Sequence, residues 1–202
     1  MSEQSTPEIV LMGSRILLET QPEVPTQTIG TEAFRQKLSA LKNAQASAGG
    51  IGIAAPQVGW SARVMLLGLT AAAKKRYPQA PAVPFEVWIN PVIHSFSTET
   101  CWAWEGCLSV PGLRGWIERP STITARGMDE KGQVIKKTLD GFTARVFQHE
   151  ADHLDGILFP QRAHNTRHII PDDILANQGE WADEWPTPGA RNTAPGALSV
   201  LP

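Results

Sequence analysis

Apolar and polar residues follow a helical period near the start of the chain. In residues 31–47, Phe34, Leu38 and Leu41 recur at spacings of four and three, so they fall on one face of a helix. The pair Gly49–Gly50 follows directly and is typical of a helix end. This stretch is therefore predicted to form an N-terminal amphipathic helix.

Five shorter stretches contain the β-branched and aromatic residues that favour strands. They are residues 63–69, 85–90, 114–118, 121–127 and 133–139. The last two flank the sequence MDEKG, which predicts a hairpin turn between them. The first two are separated by residues 70–84, which contain three prolines and are predicted to form a loop.

A second helix is predicted at about residues 141–155, with Gly156 at its end. One arc of this helix is apolar and also carries two histidines and a glutamate. The arc consists of Phe142, Val146, Phe147, Ala151, Leu154, His149, Glu150 and His153. Arg145, Gln148 and Asp152 cluster on the opposite side, which is predicted to be polar. The histidines are therefore expected to point into the protein.

The regular patterning stops near residue 165. Residues 166–202 are polar and rich in Pro and Gly, with no sustained period, and are predicted to be an irregular or partly disordered tail. Residues 1–165 are predicted to form a single folded domain.

The overall composition excludes several classes of protein. The 202 residues are 42% hydrophobic and 19% charged, and a formal net charge of −2 argues against binding to nucleic acid or membranes. Two cysteines, Cys101 and Cys107, are too few for a disulfide scaffold. The N-terminus lacks a secretory signal pattern, and no apolar run approaches the ~18 residues of a membrane span. A cytoplasmic protein is expected.

The sequence HEADH at residues 149–153 suggests a metal site. Imidazoles at positions i and i+4 of a helix lie one above the other and can bind one divalent ion. Glu150 lies on the same side, where it could exchange a proton with water on that ion. The alternative is a pair of core histidines beside a buried glutamate, but burying that carboxylate without a partner would cost several kcal/mol, on the order given for unpaired ions.

A catalytic site of this kind needs a third protein ligand and one open position. No downstream residue completes a zinc-protease pattern, whereas Cys107 offers a thiolate within the upstream sequence WEGCLSVPG. A closed structural site could instead use Cys101, Cys107, His149 and His153. Five residues separate the two cysteines, whereas structural sites commonly have two to four, which disfavours the closed site. Another metal-dependent amidase is a further alternative.

Three segments together resemble the signature motifs of peptide deformylases. They are GIGIAAPQ (50–57), EGCLS (105–109) and HEADH (149–153). The three occur in the family's order, and the similarity extends over roughly residues 9–162. The resemblance implies an α+β fold with antiparallel strands packed around the central helix that carries the HExxH motif. It also makes residues 1–165 the catalytic domain.

The resemblance implies a metal-dependent hydrolase of protein biosynthesis that processes N-terminal methionine. Such an enzyme removes the formyl group from the formylmethionine of newly synthesised polypeptides and releases formate. Cys107, His149 and His153 would bind one divalent ion, with water as the fourth ligand. Fe(II) is the expected ion in the cell, and nickel, cobalt or zinc could occupy the purified protein. Attack on the formyl carbon would come from the metal-activated water.

The resemblance also assigns roles to residues around the ion. Glu150 would act as general base and then as general acid, while the Gln57 side chain and the Leu108 backbone N–H would stabilise the oxyanion. Glu105 is expected to accept a hydrogen bond from one metal-binding histidine, and Asp152 to pair with a cation such as Arg119. The expected substrate-binding residues are Gly50, Ile51, Gly52, Trp104, Arg114, Phe142 and Val146.

The C-terminal segment departs from the family. Many bacterial relatives end in a basic helix that docks near the ribosomal exit tunnel, but residues 166–202 contain two arginines and five acidic residues. Ribosomal RNA would repel this segment, so only a transient contact with the ribosome is expected. The segment is expected either to pack on the domain through Trp181 and Trp185 or to stay mobile.

Overall fold

A computed structural model describes residues 7–78 and 80–200 of the chain. Parts of the predicted domain, loop and tail at residues 1–6, 79 and 201–202 lie outside the described residues. The fold combines helices with antiparallel sheets. Among the described residues, no helix has the length and apolar character needed to cross a membrane.

Two antiparallel sheets form the framework. The first has five strands in the order β1-β2-β3-β6-β7, and the second has three in the order β4-β5-β8. The strands of the first sheet are β1 Gly52–Ala54, β2 Val64–Leu67, β3 Glu86–Phe96, β6 Thr122–Met128 and β7 Val134–Asp140. Those of the second are β4 Thr100–Cys107, β5 Val110–Pro120 and β8 Ile169–Pro171.

The chain has four α-helices and several short 3-10 helices among the described residues. The α-helices are α1 Glu32–Ala48, α2 Ala71–Arg76, α3 Gly141–Leu154 and α4 Pro188–Asn192. The 3-10 helices are Arg15–Leu18, Thr26–Thr28, Ala55–Val58, Phe159–Arg162, Thr166–His168 and Ile174–Glu180.

Helix α1 buries the face that its sequence period defines. The Thr31 side chain caps its first turn by accepting from the Phe34 N–H, and Gly49 ends it in the left-handed region at φ 67°. Phe34, Leu38 and Leu41 pack in a cluster with apolar residues of β1, β2 and β3. Burial of this face against the first sheet stabilises the helix more than its intrinsic propensity does.

Helix α3 lies between the two sheets. Its Phe147 contacts Trp88 of β3 edge-to-face at 4.9 Å, within the core of the first sheet. On the other side, the Gln148 side chain donates to the carbonyl of Pro120 at the end of β5. Gly156, at φ 74°, turns the chain away after the last turn. A helix held in this position presents its residues to both sheets.

The side of α3 predicted to be polar and solvated is instead buried. Arg145, Gln148 and Asp152 are only 3%, 4% and 6% exposed. The helical period separates apolar from polar positions. It does not show that β4 and β5 supply partners for the polar side of α3. Glu105 of β4 and Arg119 of β5 provide those partners, so the charges are buried in pairs.

Several strands differ in extent from the sequence prediction. Strand β4 was not predicted, yet it forms a hairpin with β5, and the predicted strand 114–118 is the centre of the longer β5. Strand β3 continues past Pro91 to Phe96 because irregularities in its pairing with β6 accommodate the proline. The predicted loop 70–84 contains α2, whose first turn is capped by Thr70.

The segment predicted to be an irregular or partly disordered tail packs as a layer on the second sheet. Strand β8 pairs with β5, and Ser199 exchanges two backbone hydrogen bonds with Trp102 of β4. Trp181 lies edge-to-face with Trp104 of β4, with ring centroids 5.7 Å apart, and also contacts Trp185. These large aromatic contacts order a segment that has no regular sequence period.

Candidate functional site

Three potential metal ligands meet where β4 approaches α3. The ligand atoms of Cys107, His149 and His153 all lie within 4.8 Å of one another. The Cys107 Sγ is 3.2 Å from Nε2 of His153. In the described residues, the group does not include Cys101, whose Sγ is 3.6 Å from a nitrogen of Arg145. This arrangement gives no support to the closed four-ligand site.

The chemistry of the three donors fits a divalent transition-metal ion. One thiolate and two imidazoles suit iron, cobalt, nickel or zinc. The Nδ1 of His149 is 2.9 Å from Oε2 of Glu105, which leaves its Nε2 for an ion. Burial, followed by the charge of His149, lowers the pKa of His153 well below its usual value and favours the neutral form that binds metals.

His149 has the opposite electrostatic tendency. Burial lowers the pKa of its imidazole, but hydrogen bonds to Cys107 and Glu105 outweigh burial and raise the pKa well above its usual value. The surroundings of His149 therefore favour positive charge at this position. A metal cation bound at His149 would supply that positive charge in place of a proton.

Glu105 is hydrogen-bonded to the His149 ring and is itself held by two arginines. Its carboxylate accepts from Arg119 Nε at 2.6 Å and from Arg145 Nη1 at 2.6 Å. Burial alone would raise the pKa of Glu105, but the charge of Arg119 and the hydrogen bond with His149 outweigh burial and hold the pKa well below its usual range. The carboxylate therefore stays ionised and fixes the orientation of the His149 ring.

The buried charges extend from Glu105 to the end of α3. Arg119 also donates to Asp152 at 2.9 Å, the pairing expected from the sequence, and Asp152 accepts two further bonds from Arg162. Arg145 completes the network through the carbonyls of Ile117 and Cys101. The roles of Arg145 and Arg162 were not predicted from the sequence, because helical periodicity gives no sign that the polar side of α3 is buried.

Glu150 lies beside the three ligands with a carboxylate that has an unpaired oxygen. The residue is 4% exposed, and its Oε2 has no hydrogen-bond partner among the described residues. Burial raises the pKa of Glu150 to about 7. A carboxylate with a pKa near neutrality can both accept and donate a proton under cellular conditions.

Gln57 directs a donor toward Cys107. The residue lies in the 3-10 helix after β1, where its Oε1 accepts from the Ala54 N–H at 2.9 Å. Its Nε2 is 3.6 Å from the Cys107 Sγ and 3.1 Å from the Ser109 hydroxyl. Ser109, which the sequence analysis did not single out, is fully buried and fixes the amide. Leu108, between Cys107 and Ser109, lines a cleft together with Cys107.

A single cleft joins these groups to the predicted substrate-binding residues. The predicted residues that line it are Gly50, Ile51, Gly52, Gln57, Trp104, Glu105, Cys107, Leu108, Arg114, Phe142, Val146, His149 and Glu150. His153 is only 1% exposed and lies beneath this surface. Tyr77, Asp172, Pro195 and Gly196 also line the cleft, although the sequence gave no sign of their proximity.

Gly52 permits the close approach of β1 to Glu150. A Cβ built on Gly52 would lie 2.3 Å from the Glu150 Oε1, so any larger residue must displace the carboxylate. For a Glu150 that transfers protons, as the family resemblance implies, Gly52→Ala is expected to reduce turnover by roughly 10²-fold, the effect of a displacement of about 1 Å at a reacting group. Steady-state kinetics would measure this loss. Gly179→Ala is the matched control, because a Cβ at Gly179 would meet no atom within 4 Å.

Comparisons with known proteins converge on one family. The family model of polypeptide deformylases matches residues 6–168. A peptide deformylase of Pseudomonas putida is 43% identical over 155 residues, which cover 77% of this chain and 86% of that protein. A peptide deformylase of Nitrosomonas europaea is 41% identical over 167 residues, which cover 83% of this chain and 93% of that protein.

Solved structures give the same result for the fold. A class I type b peptide deformylase from Acinetobacter baumannii, crystallised with Met-Ala-Ser, superposes with a TM-score of 0.74 at 36% identity. The superposition covers 78% of this chain and 98% of that chain. A peptide deformylase from Synechococcus elongatus in complex with actinonin gives a TM-score of 0.69 at 31% identity, covering 82% of each chain.

Proposed function

The chain belongs to the polypeptide deformylase family and is therefore a hydrolase that removes N-formyl groups, and we propose that its substrate is the N-terminal formylmethionine of newly synthesised polypeptides. One observation carries this proposal. The ligand atoms of Cys107, His149 and His153 lie within 4.8 Å of one another in a cleft that also contains the buried carboxylate of Glu150. This substrate class makes the cytoplasm the expected place of action.

Cys107, His149 and His153 would hold one divalent ion. When bound, such an ion lowers the pKa of water and polarises a carbonyl group. We propose Fe(II) as the ion in the cell, with zinc, nickel or cobalt able to occupy the purified protein, because a thiolate with two imidazoles accepts each of them. Glu105 would keep the His149 ring in place through its hydrogen bond to Nδ1.

Glu150 would carry the protons of the reaction. After water adds to the formyl carbon, the methionine amine is a poor leaving group, so it must be protonated as the C–N bond breaks. Glu150 would first accept a proton from the attacking water and then donate it to the methionine nitrogen. Its pKa of about 7, raised by burial, suits both steps near neutral pH.

Gln57 and Leu108 would stabilise the charge that develops on the formyl oxygen. Hydrogen-bond donors that are fixed before the reaction stabilise an oxyanion without having to reorganise. The Gln57 amide is fixed by Ala54 and Ser109, so its Nε2 is held near Cys107 throughout. Loss of one such donor typically reduces the rate by about 10²–10³-fold.

The substrate peptide would lie along β1 with its methionine side chain in an apolar part of the cleft. The Gly50 and Gly52 backbone would allow close approach of the peptide, which could pair alongside it as an added strand. Ile51, Phe142 and Val146 line the cleft and would contact the methionine side chain together with Trp104. Within residues 166–200 the last helix, α4, has only five residues, so any transient contact with the ribosome would not rest on a long basic helix there.

Product analysis tests the proposed reaction against that of a metallopeptidase. Met-Ala-Ser, the peptide in the Acinetobacter baumannii structure, is what formyl-Met-Ala-Ser becomes when its formyl group is removed. Mass spectrometry is expected to detect intact Met-Ala-Ser and formate in equal amounts, with no further cleavage. Release of free methionine or Ala-Ser from either peptide would instead favour a peptidase.

A further inference from the structure

The outer wall of the cleft is built partly from residues outside the family match. The match ends at residue 168, whereas Asp172, Pro195 and Gly196 line the same cleft as the metal-ligand group. The Acinetobacter baumannii chain is covered to 98% by only 78% of this chain. The C-terminal segment therefore adds to the cleft a wall that lies beyond the residues matched by the family model.

Asp172 holds the guanidinium of Arg114 in a fixed position. Arg114 Nε donates to Asp172 Oδ1 at 2.5 Å, and its Nη2 is 3.3 Å from Oδ2. The Nη1 donates to the Tyr77 hydroxyl at 3.1 Å. Arg114 is only 7% exposed, and each of its three nitrogens donates a hydrogen bond within the protein, which uses three of its five N–H donors.

Arg114 is also held close to the reacting groups. A Cβ built on Gly106 would lie 2.0 Å from the Arg114 Nη1, so the guanidinium lies directly against the residue before Cys107. A substrate whose formyl group reaches Cys107 and Glu150 must extend outward through this cleft. Its residues after methionine would therefore pass the wall that Arg114 and Asp172 form.

The pairing changes the charge that such a substrate meets. An unpaired arginine would attract acidic side chains, whereas an arginine bound through two nitrogens to a carboxylate forms a neutral unit. We propose that Asp172 is a specificity-determining residue that neutralises Arg114 and adapts the cleft to formyl-methionyl peptides with uncharged residues after the methionine. This inference rests on the proposed function.

Paired peptides that differ only in charge test the role of Asp172. The probes are C-terminally amidated formyl-Met-Gln-Ser and formyl-Met-Glu-Ser, together with formyl-Met-Ala-Gln and formyl-Met-Ala-Glu. The wild-type protein is expected to show no preference for the glutamate peptide in either pair. Asp172→Ala should raise the Glu-to-Gln ratio of kcat/KM by about fivefold in at least one pair, the upper range for a partly exposed ion pair.

Two further variants separate charge from structure. Asp172→Glu keeps the negative charge and is expected to keep the wild-type ratio. Asp173→Ala removes the same charge from an exposed neighbour and should also leave the ratio unchanged. If Asp172→Ala does not fold, Asp172→Asn retains the shape of the side chain and carries the same expectation.

The results distinguish failure of this inference from failure of the proposed function. An unchanged Glu-to-Gln ratio in an active Asp172→Ala or Asp172→Asn variant would overturn the specificity role alone. So would a wild-type protein that already favours the glutamate peptides by fivefold or more. If wild-type protein with its metal releases no formate from any of the four peptides and none from formyl-Met-Ala-Ser, the proposed function is wrong. The inference is then overturned with it.

Discussion

Glu150→Gln is expected to retain its metal and to lose about 10⁴-fold in kcat, the upper range for a group that transfers protons. The substituted amide is nearly isosteric but can neither accept the proton of water nor protonate the departing amine. The proposed ligand atoms belong to Cys107, His149 and His153 and not to Glu150, so metal content should remain near one ion per chain. Elemental analysis together with formate-release kinetics would measure both quantities in the same sample.

A substitution at Asp155, the residue that follows α3, provides the control for Glu150. Asp155→Asn makes the same chemical change at a side chain that pairs with Arg63 and is half exposed. Its turnover should stay within about twofold of the wild-type value, as for other surface positions. Wild-type turnover in Glu150→Gln would remove Glu150 from the proton-transfer role, and loss of metal would identify it as a ligand instead.

Cys107→Ala is expected to lose both metal and activity. The thiolate is one of only three protein ligands in the proposed site, so its removal leaves two imidazoles, too few for tight binding. Metal content after gel filtration should fall well below one ion per chain, and formate release should fall to the level of chelator-treated protein. The folded state can be followed independently by circular dichroism.

Cys101→Ala is the matched control and also tests the closed structural site. Cys101 is buried on β4, where its sulfur contacts Arg145 rather than the ligand group. The variant should keep its metal and most of its activity, with a small loss of stability from the lost packing volume. Loss of metal from Cys101→Ala, with retention by Cys107→Ala, would reverse the assignment of the third ligand.

The ligand group could be predicted from the sequence because it depends on short-range geometry. Spacing of four on a helix places His149 and His153 together, and their position on the apolar arc implied that they face inward. Cys107 lies 42 residues before His149, and periodicity alone could not predict that it lies close to α3 in the fold. Resemblance to a family supplied that long-range connection, and the structure brings the three residues together.

The buried charges and the C-terminal layer could not be predicted in the same way. Arg145 and Asp152 have the spacing of a solvated helix face, and their burial depends on partners that β4 and β5 supply across the fold. Asp172 reaches Arg114 only because β8 pairs with β5, and no sequence period marked β8. Such contacts are set by tertiary packing, which overrides local preference.

Formate release from formyl-Met-Ala-Ser tests the central claim most directly. The protein would be prepared without oxygen, since an iron–thiolate site can oxidise, and a parallel sample would be reconstituted with nickel. We expect rapid release of formate that a chelator abolishes and added metal restores. Protein that holds one ion per chain and releases no formate from this peptide would contradict the assignment of Cys107, His149, His153 and Glu150 as a deformylase centre.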